Sequence, residues 1–209
     1  MRTRLAVASF RIEKGLLREG WRTIAGVDEV GRGALFGPVV AAAVVLPPEW
    51  LVKRPPAPVR DIDDSKLLAP TKRMELAAFL TREAAGLGIG MASAAEIDEM
   101  NIFRATQLAM RRALGRLPLS PDVLLVDGFP IKDVQYRQVG VPGGDRKSRS
   151  IAAASIVAKV FRDDLMATLN VVYGGYGLDR NKGYGTDEHV RCLREKGPTR
   201  LHRKSFNWG

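Results

Sequence analysis

The sequence predicts an α/β fold: a mixed sheet with helices packed on it. Three observations carry that expectation. Residues 24 to 46, IAGVDEVGRGALFGPVVAAAVVL, hold two apolar, β-branched runs punctuated by Gly and Pro, which read as two buried strands joined by a tight connection. Val123-Leu124-Leu125-Val126 is an uninterrupted apolar run of the kind that fills interior strands. Elsewhere the hydrophobic spacing turns helical, so that strands alternate with helices along the chain.

Taken in order, residues 1 to 23 form a basic, partly helical lead-in to the first strand. Residues 47 to 58, PPEWLVKRPPAP, are expected to be a surface loop, because proline neither donates to a ladder nor continues a helix. Arg60 to Lys66 reads as a polar turn ahead of a helix that Pro70 and Thr71 open and that runs over 71–85. LGIGMAS, residues 87 to 93, reads as a short strand. Ser93 and Glu96 have capping-box spacing and start a short helix. Asn101 caps a longer one, with Ile102, Ala105, Ala109 and Ala113 near one face, and Leu117 to Pro121 end it. The 123–126 strand terminates in Asp127-Gly128, Tyr136 to Val141 form a further strand, and 141–148 is a glycine-rich polar loop. Ser150 begins a long helical pattern, IAAASIVAKVFRDDLMATLN, which stops before the Tyr173–Gly177 turn; a last helix spans 187–196.

A chain of 209 residues, 45% hydrophobic, buries a sizeable core and fits one domain over residues 1–209, with roughly 165–209 as a small basic helical lobe. The apolar run in MRTRLAVASFR stops at Arg11, too soon for a secretory leader, and no stretch is long enough to span a bilayer. One cysteine, Cys192, excludes an internal disulfide and a multi-cysteine zinc site and points to a reducing, cytoplasmic setting. The net charge is +10, from 33 Lys and Arg against 23 Asp and Glu. The excess gathers in residues 180–209, with eight basic and three acidic residues. Clustered positive charge attracts phosphates and releases their counterions, so nucleic acid is the expected partner.

The chemistry sits in the acids. Asp28 and Glu29 end one apolar run and Asp127 another, and Asp145 lies in the glycine loop. Buried charges are paired or bind metal, and three or four hard oxygen donors without His or Cys at ligand spacing suit Mg²⁺ or Mn²⁺. Two such ions roughly 3.5–4 Å apart activate water and stabilise the leaving oxygen in phosphodiester hydrolysis, which needs no histidine base in a chain holding only His189 and His202. These residues therefore suggest a metal-dependent nuclease. Two other readings stand beside it: carboxylates at the solvated mouth of a turn, salt-bridged to Arg32, and a non-catalytic nucleic-acid-binding module. Ser65 and Lys66 are candidate phosphate contacts, although a turn leading into a helix accounts for them equally well. Arg162-Asp163 is expected to be a structural ion pair, Asp61, Asp63 and Asp98 surface or capping groups, and His189, His202 and Cys192 structural or solvent-facing.

At these residues the chain resembles prokaryotic type 2 ribonuclease H, ribonuclease HII. The likeness runs through Asp28-Glu29-Val30-Gly31-Arg32-Gly33, Gly37 to Ala43, Asp64-Ser65-Lys66, Glu96-Ile97-Asp98, Asn101-Ile102 with Ala105-Thr106, and Val126-Asp127-Gly128. It continues in Ile151 to Lys159 with Arg162-Asp163, Lys182 to Thr186 with His189, Gly197-Pro198, His202-Arg203 and Ser205-Phe206. The resemblance implies an RNase H-like fold, a mixed central sheet with flanking helices and a C-terminal helical lobe. It makes Asp28, Glu29, Asp127 and Asp145 the catalytic, metal-binding carboxylates for two Mg²⁺ or Mn²⁺ ions. It makes Gly31, Arg32, Gly33 and Tyr184 the readers of a ribonucleotide embedded in duplex nucleic acid. Glycines permit close backbone approach to a sugar, and the 2′-hydroxyl is what separates RNA from DNA. The implied substrates are RNA–DNA hybrids and DNA duplexes containing ribonucleotides, cut by a monomer. Two departures stand out: Gly143 where the family usually has lysine, with Arg146 or Lys147 as stand-ins, and Lys66-Leu67 where it has a lysine pair. The related type 3 ribonuclease H is a further enzyme reading, but it has an extra N-terminal domain that 23 lead-in residues are too few to form.

Overall fold

The computed structural model describes residues 8–208; the first seven residues of the basic lead-in lie outside them. Its strands are β1 (Ile24–Val30), β2 (Val39–Val45), β3 (Gly86–Ala92), β4 (Val123–Asp127) and β5 (Arg137–Val141). They form one mixed sheet in the order β3-β2-β1-β4-β5. β2 is antiparallel to β1 and β3, whereas β1, β4 and β5 run parallel. The helices are α1 (Arg11–Arg18), α2 (Pro48–Val52), α3 (Ala57–Arg60), α4 (Pro70–Glu83), α5 (Ala94–Met100), α6 (Ile102–Leu114), α7 (Arg149–Val172), α8 (Leu178–Asn181) and α9 (Asp187–Lys196). The mixed sheet with flanking helices is the architecture that the hydrophobic spacing implies. Among the described residues, no helix is long and apolar enough to cross a membrane.

Strand alternation divides the core. Ile24, Val40, Ala42, Val44, Val123 and Leu125 face one side, where α7, α4 and α1 cover them. Ala25, Val27, Val39, Ala41, Ala43, Leu124 and Val126 face the other, against α6. Both faces of the central strands are dry, which is why β2 reads VVAAAVV without a polar residue. α7 approaches β1 so closely that a Cβ on Gly26 would lie 2.1 Å from the Ser150 carbonyl carbon. The N-terminus of α7 is held by two groups. Ser148 caps it, accepting from Ile151 N–H at 3.2 Å, and the buried Glu13 carboxylate of α1 accepts from Ser148 Oγ at 2.6 Å and Ser150 N–H at 3.0 Å. The helix thus begins at Arg149, just ahead of the Ser150 start that the pattern suggested.

Two expectations need correction. The proline-rich segment is not a plain loop: it contains α2 and α3 and buries Trp50, Leu51 and Val59. Pro48 opens α2, where its missing N–H has no helical partner to lose. Nor is the β1–β2 connection tight. Residues 31–38 make an excursion that carries Leu35 and Phe36 into a third apolar cluster with Met166, Tyr176, Leu178 and Leu193. Burying a side chain such as Phe36, fully hidden here, contributes about 2–3 kcal/mol, which offsets the ordering of this connection.

Candidate active site

Parallel pairing of β1 with β4 matches Val27 to Val126, so Asp28 and Asp127 follow on adjacent strands at their C-terminal ends. Asp145 lies in a 3-10 turn, Gly144–Arg146, whose Gly144 N–H donates to Asp127 Oδ1 at 2.6 Å. Asp28, Glu29, Asp127, Asp145, Ser65, Lys66 and Tyr184 together line one recess of about 350 Å³, joined by Ser155 and Lys159 of α7. An adjoining recess is lined by Glu29, Arg32, Phe103, Gln107, Asp127 and Phe129. Phe129 is 75% exposed, an uncommon position for a phenylalanine two residues past an acidic strand end.

The electrostatics favour a cation. Burial raises the Asp28 pKa well above the usual carboxylate range, and repulsion from Glu29 and Asp127 adds to it. Burial raises Glu29 too, opposed by Arg32, whose Nη1 lies 3.1 Å from Glu29 Oε1. Asp145 is raised by burial and by Asp64, and Lys66 works against this from 3.5 Å. Partial burial opposes the Lys66 charge, but Asp145, Asp64 and Asp28 outweigh it and raise its pKa. Among the described residues, no three acidic, histidine or cysteine side chains close into a ready-made metal cage. An oxygen-only set with excess negative charge, part of it buried, fits a hard divalent ion.

The two glycines of the Gly31-Arg32-Gly33 stretch differ. Gly31 has φ +87°, and a Cβ there would meet Arg162 Nε at 2.2 Å, so the fold itself requires glycine. At Gly33 a Cβ would find nothing within 4 Å, and the backbone there has no left-handed φ. Neither glycine lines the two recesses; both sit on the connection leaving β1, and Ala34 bridges to Tyr184 across it. Ser65 is buried, with its Oγ 2.9 Å from Ser155 Oγ, while the Lys66 side chain is 78% exposed.

Several smaller expectations change. Arg162 does not pair with Asp163: it is fully buried and donates to the carbonyls of Pro38, Lys182 and Phe36, while Asp163 binds Lys159 at 2.7 Å. Asp61 does form a surface pair, with Lys72 at 2.7 Å. Asp63 accepts from Ala8 N–H at 3.1 Å, and Asp98 accepts from Lys204 N–H and Ser205 N–H, fixing the C-terminal segment. Of the two stand-ins for a lysine at Gly143, Lys147 turns its Nζ to the Pro142 carbonyl at 2.6 Å, whereas the Arg146 charge does act on Asp145, alongside the Lys66 ammonium at 3.5 Å. Arg203, counted in the basic C-terminal field, is fully buried.

His189 and His202 are structural and buried, and their network sets their tautomers. Thr199 N–H donates to His202 Nδ1 at 2.9 Å, so His202 carries its proton on Nε2. That proton points at His189 Nε2, 3.1 Å away, leaving His189 Nδ1–H to donate to the Tyr184 carbonyl at 3.0 Å. Both rings are neutral in this chain of bonds. Burial lowers both pKa values, and that of His202, beside His189, falls to about 4.

Sequence reading gave Ser155, Lys159, Arg162 and Arg203 no place at the site, although all four lie in stretches that carry the resemblance. Ser155 and Lys159 carried a usable signal: a hydroxyl and an ammonium four residues apart share one face of an otherwise apolar helix. The arginines carried no local physical signal of this kind, because nothing nearby marks a guanidinium that will bind distant carbonyls.

Comparison with known proteins identifies the family. The family profile for Ribonuclease HII matches residues 25–208. Ribonuclease HII of Moorella thermoacetica is 49% identical over 199 residues, covering 95% of this chain and 93% of the relative. That of Caldicellulosiruptor saccharolyticus is 46% identical over 197 residues, covering 94% and 93%. The crystal structure of ribonuclease H2 from Pyrococcus horikoshii superposes with a TM-score of 0.70 at 28% identity, over 89% of this chain and 94% of that one. A match along nearly the whole length, at close to half identity, has one meaning: the chain belongs to the ribonuclease HII family.

Proposed function

We propose that this nuclease, whose family cleaves the RNA strand of RNA–DNA hybrids, also nicks duplex DNA on the 5′ side of a single embedded ribonucleotide. Water adds to phosphorus, the bond to the preceding nucleotide's 3′-oxygen breaks, and that oxygen takes up a proton. The products are a 3′-hydroxyl and a 5′-phosphate. One observation supports the reading above the rest: the acidic recess and the Gly31–Gly33 connection meet across Tyr184, which lines the former and bridges to the latter.

Asp28, Glu29, Asp127 and Asp145 are the residues to hold Mg²⁺ or Mn²⁺. When bound, two such ions supply activation of the attacking water and charge stabilisation at the departing oxygen. Lys66, exposed at the rim beside Asp145, offers its ammonium to a substrate phosphate. Backbone at Arg32 and Gly33 approaches the ribose, and the Tyr184 ring packs on the neighbouring deoxyribose, where a second ribose would clash. The exposed basic residues of 180–204 hold the duplex through its phosphates. The test is a labelled DNA duplex carrying one ribonucleotide, incubated with Mg²⁺, Mn²⁺ or EDTA. A metal-dependent nick immediately 5′ of the ribonucleotide is expected. Cleavage of long hybrids without that nick would remove the ribose-reading roles, and tight binding without any cleavage would leave only a binding module.

A further inference from the structure

Two arginines that form no salt bridge among the described residues are buried behind the Gly31–Gly33 stretch. Arg203 donates from Nη2 to the Gly31 carbonyl at 2.7 Å, from Nη1 to the Arg32 carbonyl at 2.8 Å, and from Nε to the Gly37 carbonyl at 3.0 Å. Its own N–H donates to the Leu35 carbonyl at 2.8 Å. Arg162 reaches the same connection from α7, binding the carbonyls of Phe36 and Pro38 at 3.1 Å and that of Lys182, two residues before Tyr184, at 2.7 Å. Its guanidinium lies 5.4 Å from the Tyr184 ring centroid. Both side chains are fully buried, and burying a charge on neutral carbonyls alone is expensive. Such a cost is out of proportion to closing an ordinary surface loop.

The geometry has a directional consequence. In a trans peptide the C=O and the following N–H point in opposite directions. Drawing the Gly31 and Arg32 carbonyls inward onto Arg203 therefore turns the N–H groups of Arg32 and Gly33 outward, and both of these residues are exposed. Arg162 ties the same connection to the Tyr184 segment, so the outward amides and the tyrosine keep one spacing.

We propose that Arg203, with Arg162 behind it, is a positioning residue for ribose discrimination: it aims the Arg32 and Gly33 amides at the 2′-hydroxyl of the target nucleotide without touching substrate. The proposal rests on the ribose-reading function above. Lysine at position 203 keeps the charge but replaces the planar fork by one flexible ammonium, which cannot span three carbonyls in fixed directions.

The test uses binding, so that it does not depend on turnover. Affinities of the wild type and of Arg203→Lys are measured in EDTA for two duplexes identical except for one ribonucleotide. Thermal unfolding identifies the temperature range in which both proteins are folded, and Arg162→Lys is run in parallel as a second route to the same clamp. The wild type is expected to favour the ribonucleotide duplex by about tenfold, the scale of one or two hydrogen bonds. In the variants that ratio should fall towards one while affinity for all-DNA duplex stays unchanged. Amide exchange should quicken at 31–37 and 182–184 and not in β1 or β4. A retained ratio in either folded variant, or a proportional loss on both duplexes, overturns the clamp and leaves the nuclease reading intact. A wild type with no preference for the ribonucleotide overturns both.

Discussion

Replacing Gly26 with alanine tests whether the placement of α7 governs both stability and catalysis. The added Cβ would sit 2.1 Å from the Ser150 carbonyl carbon and oxygen and 2.5 Å from Ile151 N. These are backbone atoms in the first turn of a helix, so no rotamer change relieves the clash. Gly26 has no left-handed φ, and the cost is therefore purely steric. Reaching ordinary contact requires β1 and α7 to part by more than about 1 Å. α7 is also tied at that end by Ser148 and Glu13, so the separation strains a buried carboxylate as well. Overpacking of this kind costs about 1–3 kcal/mol, which lowers Tm by roughly 5 °C for a chain of this size. Ser155 and Lys159 ride on the same helix into the acidic recess, and a shift of this size at a catalytic site costs about a hundredfold in rate. Urea unfolding and hybrid cleavage, the latter well below the variant's transition, read the two effects separately. A variant with wild-type midpoint and rate would refute the close approach. A destabilised variant with full activity would refute the link between helix placement and site.

Four further outcomes follow from the geometry. Gly33→Ala, which meets nothing in the protein, should leave stability within about 0.5 kcal/mol yet slow nicking at a lone ribonucleotide about tenfold or more; unchanged nicking would mean that no sugar approaches Gly33. Asp127→Asn can still accept from Gly144 N–H and should stay folded while losing about three orders of magnitude in Mg²⁺-dependent cleavage; full activity would remove Asp127 from the site. Because His202 is held near 4 when folded against 6.5 unfolded, the unfolded chain gains its proton first as pH falls. This pair then withdraws stability between those values, about 2 kcal/mol after allowance for solvent screening, and nothing above 6.5. Ring-proton NMR checks this directly in a chain with two histidines, since a ring titrating near 6.5 would contradict the neutral, bonded pair. Phe129→Ala, at an exposed position, should raise KM severalfold by loss of base stacking with little change in kcat or stability; an unchanged KM would make Phe129 a bystander.

Much of the fold was legible because it depends on local patterns. The caps at Ser93 and Asn101 act within three residues, and β1 and β4 are short apolar runs with acids at or near their ends. Asp28 and Glu29 stood out because a strand rarely ends its dry stretch in two carboxylates. What stayed hidden is non-local. The 31–38 connection looked like a turn since its carbonyls are satisfied by guanidiniums 124 to 172 residues further along the chain. Arg162 beside Asp163 suggested a pair, yet neighbours on a helix point in different directions, and the two side chains went to different partners. The proline-rich stretch concealed α2 and α3 because proline is a breaker inside a helix but a starter at its first positions.

The long reach of Arg203 also ties the two ends of the chain together. β1 and β2 pair locally, and β4 joins them from about one hundred residues away, whereas the connection between β1 and β2 is held by Arg162 and Arg203 from 124 to 172 residues further along the chain. Contacts of such high sequence separation close late, since the entropy of closing the loop must be met before the contact returns anything. The acidic recess and the Gly31–Gly33 connection both depend on such contacts, and they share Tyr184, which lines the one and bridges to the other. The two are therefore coupled through the C-terminal segment: a chain in which that segment had not docked would lack the supports of both.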